Sequence, residues 1–84
     1  MESLDSAIQW VRAELALILD RPIDEIDSTR SFARLGVDSA ASTHLMIGLE
    51  DMLNVQLDPD VIAELVTIEA VVAYALRVKG EAKP

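Results

Sequence analysis

Apolar residues recur along this chain at helical spacing. Leu4, Ile8, Val11, Leu15 and Ile18 stand four, three, four and three positions apart, which marks one face of a helix. Ser3 or Asp5 is placed to cap its start. Arg21-Pro22 predicts a stop near Leu19, because a proline ring disfavours helical backbone in the residue before it. Trp10 lies off the stripe and reads as partial packing. A second run spans about Ser39 to Leu53, with Ala41, Leu45, Leu49 and Met52 on one face and Ser42 and Leu53 beside them. Met46 and Ile47 widen its apolar arc, Gly48 offers room for a close approach, and Asn54 suits its end. Asp58-Pro59 opens a short third helix, the acid as cap and the proline in the first turn, with Val61, Ile62 and Leu65 as its apolar side. Thr67 caps a fourth, whose inner face is Ile68, Val71, Val72, Ala75 and Leu76. Arg77 and Lys79 complement its negative end, Gly80 is placed to terminate it, and residues 80–84 read as a tail.

Asp20 to Val37 is a long connection for a compact domain. Ile23, Ile26, Phe32 and Leu35 interrupt its charged residues and are expected to pin it across the helices, with a helical turn near Asp24–Asp27 or Ser31–Leu35. The pattern predicts an all-α fold: a four-helix bundle with a long first loop and a short third helix. It forms one domain over residues 1–84 with its core between about 3 and 79.

Composition narrows the function. Half the residues are apolar, which excludes a disordered chain, and there is no cysteine, which excludes a disulfide framework or thiolate metal site and fits the cytoplasm. No signal peptide or transmembrane run is read. The net charge of −8 argues against nucleic acid, and an acidic helical surface argues against anionic membranes. The charge is also segregated. Leu35 to Leu76 contains no Lys or Arg, while Asp38, Glu50, Asp51, Asp58, Asp60, Glu64 and Glu69 lie within it. Such a run is either a solvated face or a field that steers basic partners.

Candidate chemistry gathers at Leu35-Gly36-Val37-Asp38-Ser39, where a glycine turn leads into the second helix. Asp38 is a good N-cap, which leaves Ser39 at the first helical position with its hydroxyl towards solvent and near N–H groups that favour an anion. Alternatively, the serine is simply part of the cap. Catalysis by the chain itself finds no support. Its single His44 lies five residues after Ser39 and is expected to point elsewhere, so no nucleophile–base pair forms. Asp58, Asp60 and Glu69 match three positions of a calcium loop, but Ile62 and Ala63 stand where it needs an oxygen ligand and a glycine, so no metal is expected.

These residues resemble the acyl carrier protein family. Leu35-Gly36-Val37-Asp38-Ser39 looks like its attachment motif; Leu49-Glu50-Asp51, Leu57-Asp58-Pro59 and Thr67-Ile68-Glu69-Ala70 are also similar, so the resemblance runs from about the first helix to Leu76. It implies that Ser39 carries a covalent 4′-phosphopantetheine arm taken from coenzyme A, supported by Gly36, Val37 and Asp38. It also implies that acyl groups ride on the arm's thiol as thioesters, and that the protein is no enzyme. The implied partners are a phosphopantetheinyl transferase, an acyl- or aminoacyl-activating ligase or acyltransferase, and a ketosynthase or other tailoring enzymes. Ala40, Thr43, His44, Ile47, Glu50, Asp60, Val61 and Glu64 are the docking candidates on a cytoplasmic monomer. A seam of Leu45, Leu49, Leu57, Ile62 and Leu65 is either ordinary core or a site that opens to admit the acyl chain. Many carriers place a large aliphatic residue after the serine, where this chain has Ala40. Fatty-acid carriers place acids along the second helix, where it has Ala41, Ser42, Thr43 and His44. These departures favour a discrete, polyketide-type carrier of specialised metabolism. An aminoacyl or peptidyl carrier and an unmodified helical interaction domain are the alternatives.

Overall fold

The structure, a computed structural model, describes residues 3–81. Helix α1 spans Leu4–Leu19, and a 3-10 turn covers Ile23–Glu25. The remaining helices are α2 (Phe32–Leu35), α3 (Ser39–Leu53), α4 (Pro59–Glu64) and α5 (Ile68–Glu81). The fold is all-helical among these residues, and the long first connection contains both of the local turns that the sequence offered as alternatives.

Each helix starts on the side chain its first turn requires. Ser3 caps α1 by accepting from the Ser6 amide while Ser6 reaches back to the Ser3 amide. Asp38, Asp58 and Thr67 cap α3, α4 and α5. Asp20 and Asn54 close α1 and α3 in left-handed backbone, at φ 54° and 56°. Their short polar side chains tolerate that conformation better than most. Lys79 donates to the Leu53 carbonyl at 2.9 Å, satisfying an acceptor at the negative end of α3. Gly80 does not end α5: the helix runs through it to Glu81. Glycine inside a helix costs only about 1 kcal/mol, so a favourable turn on either side can carry the helix through. The rest of the expected tail, residues 82–84, lies outside the described residues.

The core forms where α1, α3 and α5 pack together. Val11, Leu15, Leu49, Leu53, Ile68, Val71, Val72 and Ala75 are buried there. The stripe of α1 is shifted from the simplest reading: Ala7 is buried, whereas Leu4 is 50% exposed and Ile18 only partly covered. Leu4 sits in the first turn, where no neighbouring helix overlaps it enough to exclude water. On α3, Leu53 takes the buried place expected for Met52, which is half-buried.

The first connection is held by Ile26 and Leu35, both buried, while Ile23 is 39% exposed. Arg12 clasps the connection from α1. Its guanidinium donates to the carbonyl of Ile26 at 2.6 Å and to that of Ile23 at 3.0 Å, the latter also accepting from the Ile26 amide. Further along, Asp27 Oδ1 accepts from the Thr29 hydroxyl at 2.7 Å and the Thr29 amide at 2.9 Å. These two bonds, hydroxyl first, hold the Asp27 carboxyl below its ordinary value of 3.8, and Arg30 adds to the effect. A depressed folded pKa means that the bonds stabilise the fold above pH 3.8 and lose that effect as pH falls through the lowered value. An NMR carboxyl titration is expected to show Asp27 titrating below the usual range, and Thr29→Val to move it back upwards.

Trp10 and Gly48 explain one another. The indole of Trp10 lies against the α3 backbone where a Cβ on residue 48 would stand 3.1 Å from the Trp10 Cη2 atom. For Gly48→Ala, a gain of about 1 kcal/mol in helix propensity opposes that contact, so stability is expected to change by less than about 1 kcal/mol. Gly48→Leu must displace the ring and is expected to lose about 1–3 kcal/mol in urea unfolding. The same variant shifts the emission of Trp10, the only tryptophan.

Candidate functional site

The site is assembled by the turn between α2 and α3. Ser31 Oγ caps α2 by accepting from the Arg34 amide. Leu35 is buried and anchors the end of that helix. Gly36 then takes φ +86°, a conformation that a residue with a Cβ enters only at a cost. Its amide returns to Ala33, and the Val37 amide to the Phe32 carbonyl at 2.9 Å. Val37 packs half-buried against the core. Asp38 is extended, and its Oδ1 accepts from the Ala41 amide at 2.8 Å while its carbonyl accepts from the Ser42 amide at 2.9 Å.

Capping is therefore done by Asp38, and Ser39 is exposed. Among the described residues its Oγ has no hydrogen-bond partner, and neither do the amides of Ser39 and Ala40. A reachable hydroxyl thus stands beside two free N–H donors at the positive end of a four-turn helix, where an anion is favoured. The sequence from Leu35 to Leu76 contains no Lys or Arg, but Arg21 reaches the turn from outside it, donating to the Leu35 carbonyl at 3.3 Å.

A groove of about 660 Å³ opens next to Ser39 between α3 and α4. Leu45, Leu57, Ile62 and Leu65 line it, as the seam predicted; Leu49 does not, being enclosed in the core. Phe32, Val37, Met46, Val66 and Val71 complete its apolar lining. The sequence offered one hint of this wall: Phe32 is the large apolar residue in an otherwise polar stretch. Ser42 and Thr43 add hydroxyls near the Ser39 end.

Helix α4 is held on both sides of the groove. At its start, Glu50 Oε2 accepts from the Leu57 amide at 2.7 Å and the Tyr74 hydroxyl from the Asp58 amide at 3.1 Å. Beyond its end, the Phe32 amide donates to the Val66 carbonyl at 2.7 Å, beside an isolated antiparallel bridge between Ser31 and Thr67. Ser28 of the first connection and Glu69 in the first turn of α5 are joined by one backbone and one side-chain bond.

The docking candidates separate into groups. Ala40, Thr43, His44 and Ile47 share a shallow exposed surface with Ser39. Asp60 and Glu64 are exposed on α4, where Val61 is half-buried. Glu50 is half-buried and already engaged by the Leu57 amide. Ser39 and His44 border one shallow surface, and among the described residues no hydrogen bond joins their side chains.

Comparison with known proteins gives the family. The family model described as the phosphopantetheine attachment site matches residues 9–75. The chain is 33% identical over 70 residues to acyl carrier protein 3 of Ralstonia nicotianae, covering 82% of this chain and 80% of that protein. It is 29% identical over 72 residues to the chloroplastic acyl carrier protein 2 of Arabidopsis thaliana, covering 86% of this chain and 51% of the plant protein, about half its length. The chain belongs to the acyl carrier protein family, whose members hold 4′-phosphopantetheine covalently and act as carriers rather than catalysts.

Proposed function

We propose that Ser39 is the attachment point of the arm and that the protein is an acyl carrier of a specialised, polyketide-type pathway. One observation carries the first part: Asp38 takes over the capping bond, so the Ser39 hydroxyl is exposed and unbonded. The residues fit the group. A covalent phosphodiester needs an accessible hydroxyl, and its negative charge is favoured by the free amides of Ser39 and Ala40 and by the helix dipole. When bound, the arm supplies a terminal thiol on which an acyl group rides as an activated thioester. The chain's own residues do the rest. Asp38 and Gly36 hold the first turn of α3 in place, and the surface around Ser39 meets each partner. The groove offers apolar cover to a cargo chain, and covalent tethering keeps that cargo at high effective concentration.

The pathway class rests on residues rather than on geometry. Leu57-Asp58-Pro59 and Thr67-Ile68-Glu69-Ala70 resemble polyketide-type carriers, and the exposed start of α3 lacks the acids of fatty-acid carriers. A phosphopantetheinyl transferase, a loading ligase or acyltransferase, and a ketosynthase or tailoring enzyme are the partners this reading requires. Incubation with coenzyme A and a broad-specificity transferase is expected to add the mass of one phosphopantetheine. Intact mass after co-expression with the neighbouring biosynthetic genes then reads the cargo. A polyketide-type acyl mass is the expected result; an aminoacyl mass overturns the pathway assignment. A folded protein that is never modified overturns the carrier reading of Ser39.

A further inference from the structure

The turn that presents Ser39 is held from a distant part of the chain. Leu35 closes α2, and no backbone amide among the described residues donates to its carbonyl. That acceptor is taken by Arg21, whose Nη1 donates to it at 3.3 Å across 14 positions of sequence. The other terminal nitrogen, Nη2, lies 3.5 Å from where a Cβ on Gly36 would stand. The guanidinium therefore rests against the glycine that takes φ +86° just before α3 begins. The base of the Arg21 side chain is itself fixed. Its amide donates to the Ala16 carbonyl at 2.9 Å, Asp20 before it closes α1 in left-handed backbone, and the ring of Pro22 after it restricts φ.

We infer that Arg21 is a positioning residue for the Ser39 hydroxyl: it ties the turn to the end of α1 and so keeps the start of α3 in the conformation that a transferase must meet. The inference rests on the reading of Ser39 as the attachment point. The turn has few other restraints. Its two backbone bonds, from Gly36 to Ala33 at 3.2 Å and from Val37 to Phe32 at 2.9 Å, both return to α2. That helix has four residues, too few to be stable by itself. Leu35 and the half-buried Val37 add apolar anchorage. Among the described residues, Arg21 makes the polar tie that joins Leu35–Val37 to an element beyond α2 and its cap. An arginine suits the task, because its fork sets one nitrogen on the carbonyl while the other lies against Gly36. The bond is long and only partly buried, so the expected effects are modest. They fall on rate rather than affinity, since a misplaced hydroxyl reacts slowly even in a complex that has formed.

The test uses the full chain and compares Arg21→Met, which removes the donors, with Arg21→Lys, which keeps a charged one. Amide hydrogen exchange by NMR reads the turn directly. In Arg21→Met the amides of Gly36, Val37 and Ala41 are expected to exchange about three- to tenfold faster, while those of Val71 and Val72 in α5 stay unchanged. Modification is then followed with coenzyme A and a phosphopantetheinyl transferase that modifies the unaltered protein. The single-turnover rate of Arg21→Met at saturating transferase is expected to fall about three- to tenfold, with the half-saturating concentration little changed. Arg21→Lys is expected to recover most of that loss. Arg77→Met on α5 removes the same charge and is expected to leave both readings alone. Unchanged exchange at Gly36, Val37 and Ala41 in Arg21→Met overturns the inference. A raised half-saturating concentration at an unchanged rate also overturns it, since Arg21 would then be a contact for the partner. Equal acceleration at Val71 and Val72 overturns it in favour of a general contribution to stability. If the unaltered protein is never modified, Ser39 fails as the attachment point, and the exchange result alone still decides whether Arg21 holds the turn.

Discussion

Replacing Ser39 by alanine is expected to abolish phosphopantetheine addition completely while leaving the fold intact. The two halves of that expectation have separate causes. Modification needs a nucleophilic oxygen at this position, and alanine has none. Stability does not depend on it, because the capping bond to the Ala41 amide comes from Asp38 and the Ser39 side chain touches no acceptor or donor among the described residues. An exposed change of this kind alters unfolding free energy by about 0.5 kcal/mol or less. Intact mass spectrometry after reaction with coenzyme A and a transferase reads the first half, and urea unfolding monitored at Trp10 reads the second. An adduct that survives in Ser39→Ala would move the site, with Ser42 next to be tested because it lines the groove one turn along. A large loss of stability would return Ser39 to the role of an ordinary cap.

The second large effect is structural. Ile26→Ala is expected to destabilise the fold by about 2–5 kcal/mol, in the range of buried Ile-to-Ala changes that leave a cavity. Ile26 is fully buried, although it stands in a connection otherwise rich in exposed charge. Against a total stability of about 5–15 kcal/mol for a domain of this kind, that is a substantial fraction. Ile23→Ala supplies the contrast. Its side chain is 39% exposed, and its main structural contribution is a backbone carbonyl bonded to Arg12, which alanine retains. Its cost is expected to stay below about 1 kcal/mol. Urea unfolding of both variants checks this, with an unchanged m-value showing that the same surface is exposed on unfolding. If the two substitutions cost the same, the first connection is not anchored as described. Loosening it also loosens the groove, because Phe32 and the Ser31–Thr67 bridge lie in its second half.

The helices were legible because their information is local. The spacing of Ile8, Val11 and Leu15, and of Leu45 and Leu49, repeats at the helical period. The acids and hydroxyls at Ser3, Asp38, Asp58 and Thr67 each sit where a first turn lacks acceptors. Ser39 stood out for the same reason: with Asp38 before it, the serine had no capping bond left to make. End signals were less reliable. Gly80 reads as a stop, yet α5 passes through it, since glycine permits a turn without requiring one.

The sequence by itself determined four principal helices, their caps, the turn that presents Ser39 and the separation of acids from bases along the chain. The helices, caps and turn depend on residues within a turn or two of one another, and the charge separation is a property of the sequence order alone. Only the tertiary structure decided that Ile26 and not Ile23 enters the core, and that Glu50 is taken up by the Leu57 amide. It also decided that Phe32, Val66 and Val71 join Leu45 and Ile62 around one groove. Those outcomes depend on which distant segments meet, through contacts such as the Phe32–Val66 backbone bond that span more than 30 positions. Hydrophobic periodicity says that a side chain seeks cover, but the packing of the other helices determines which surface provides it.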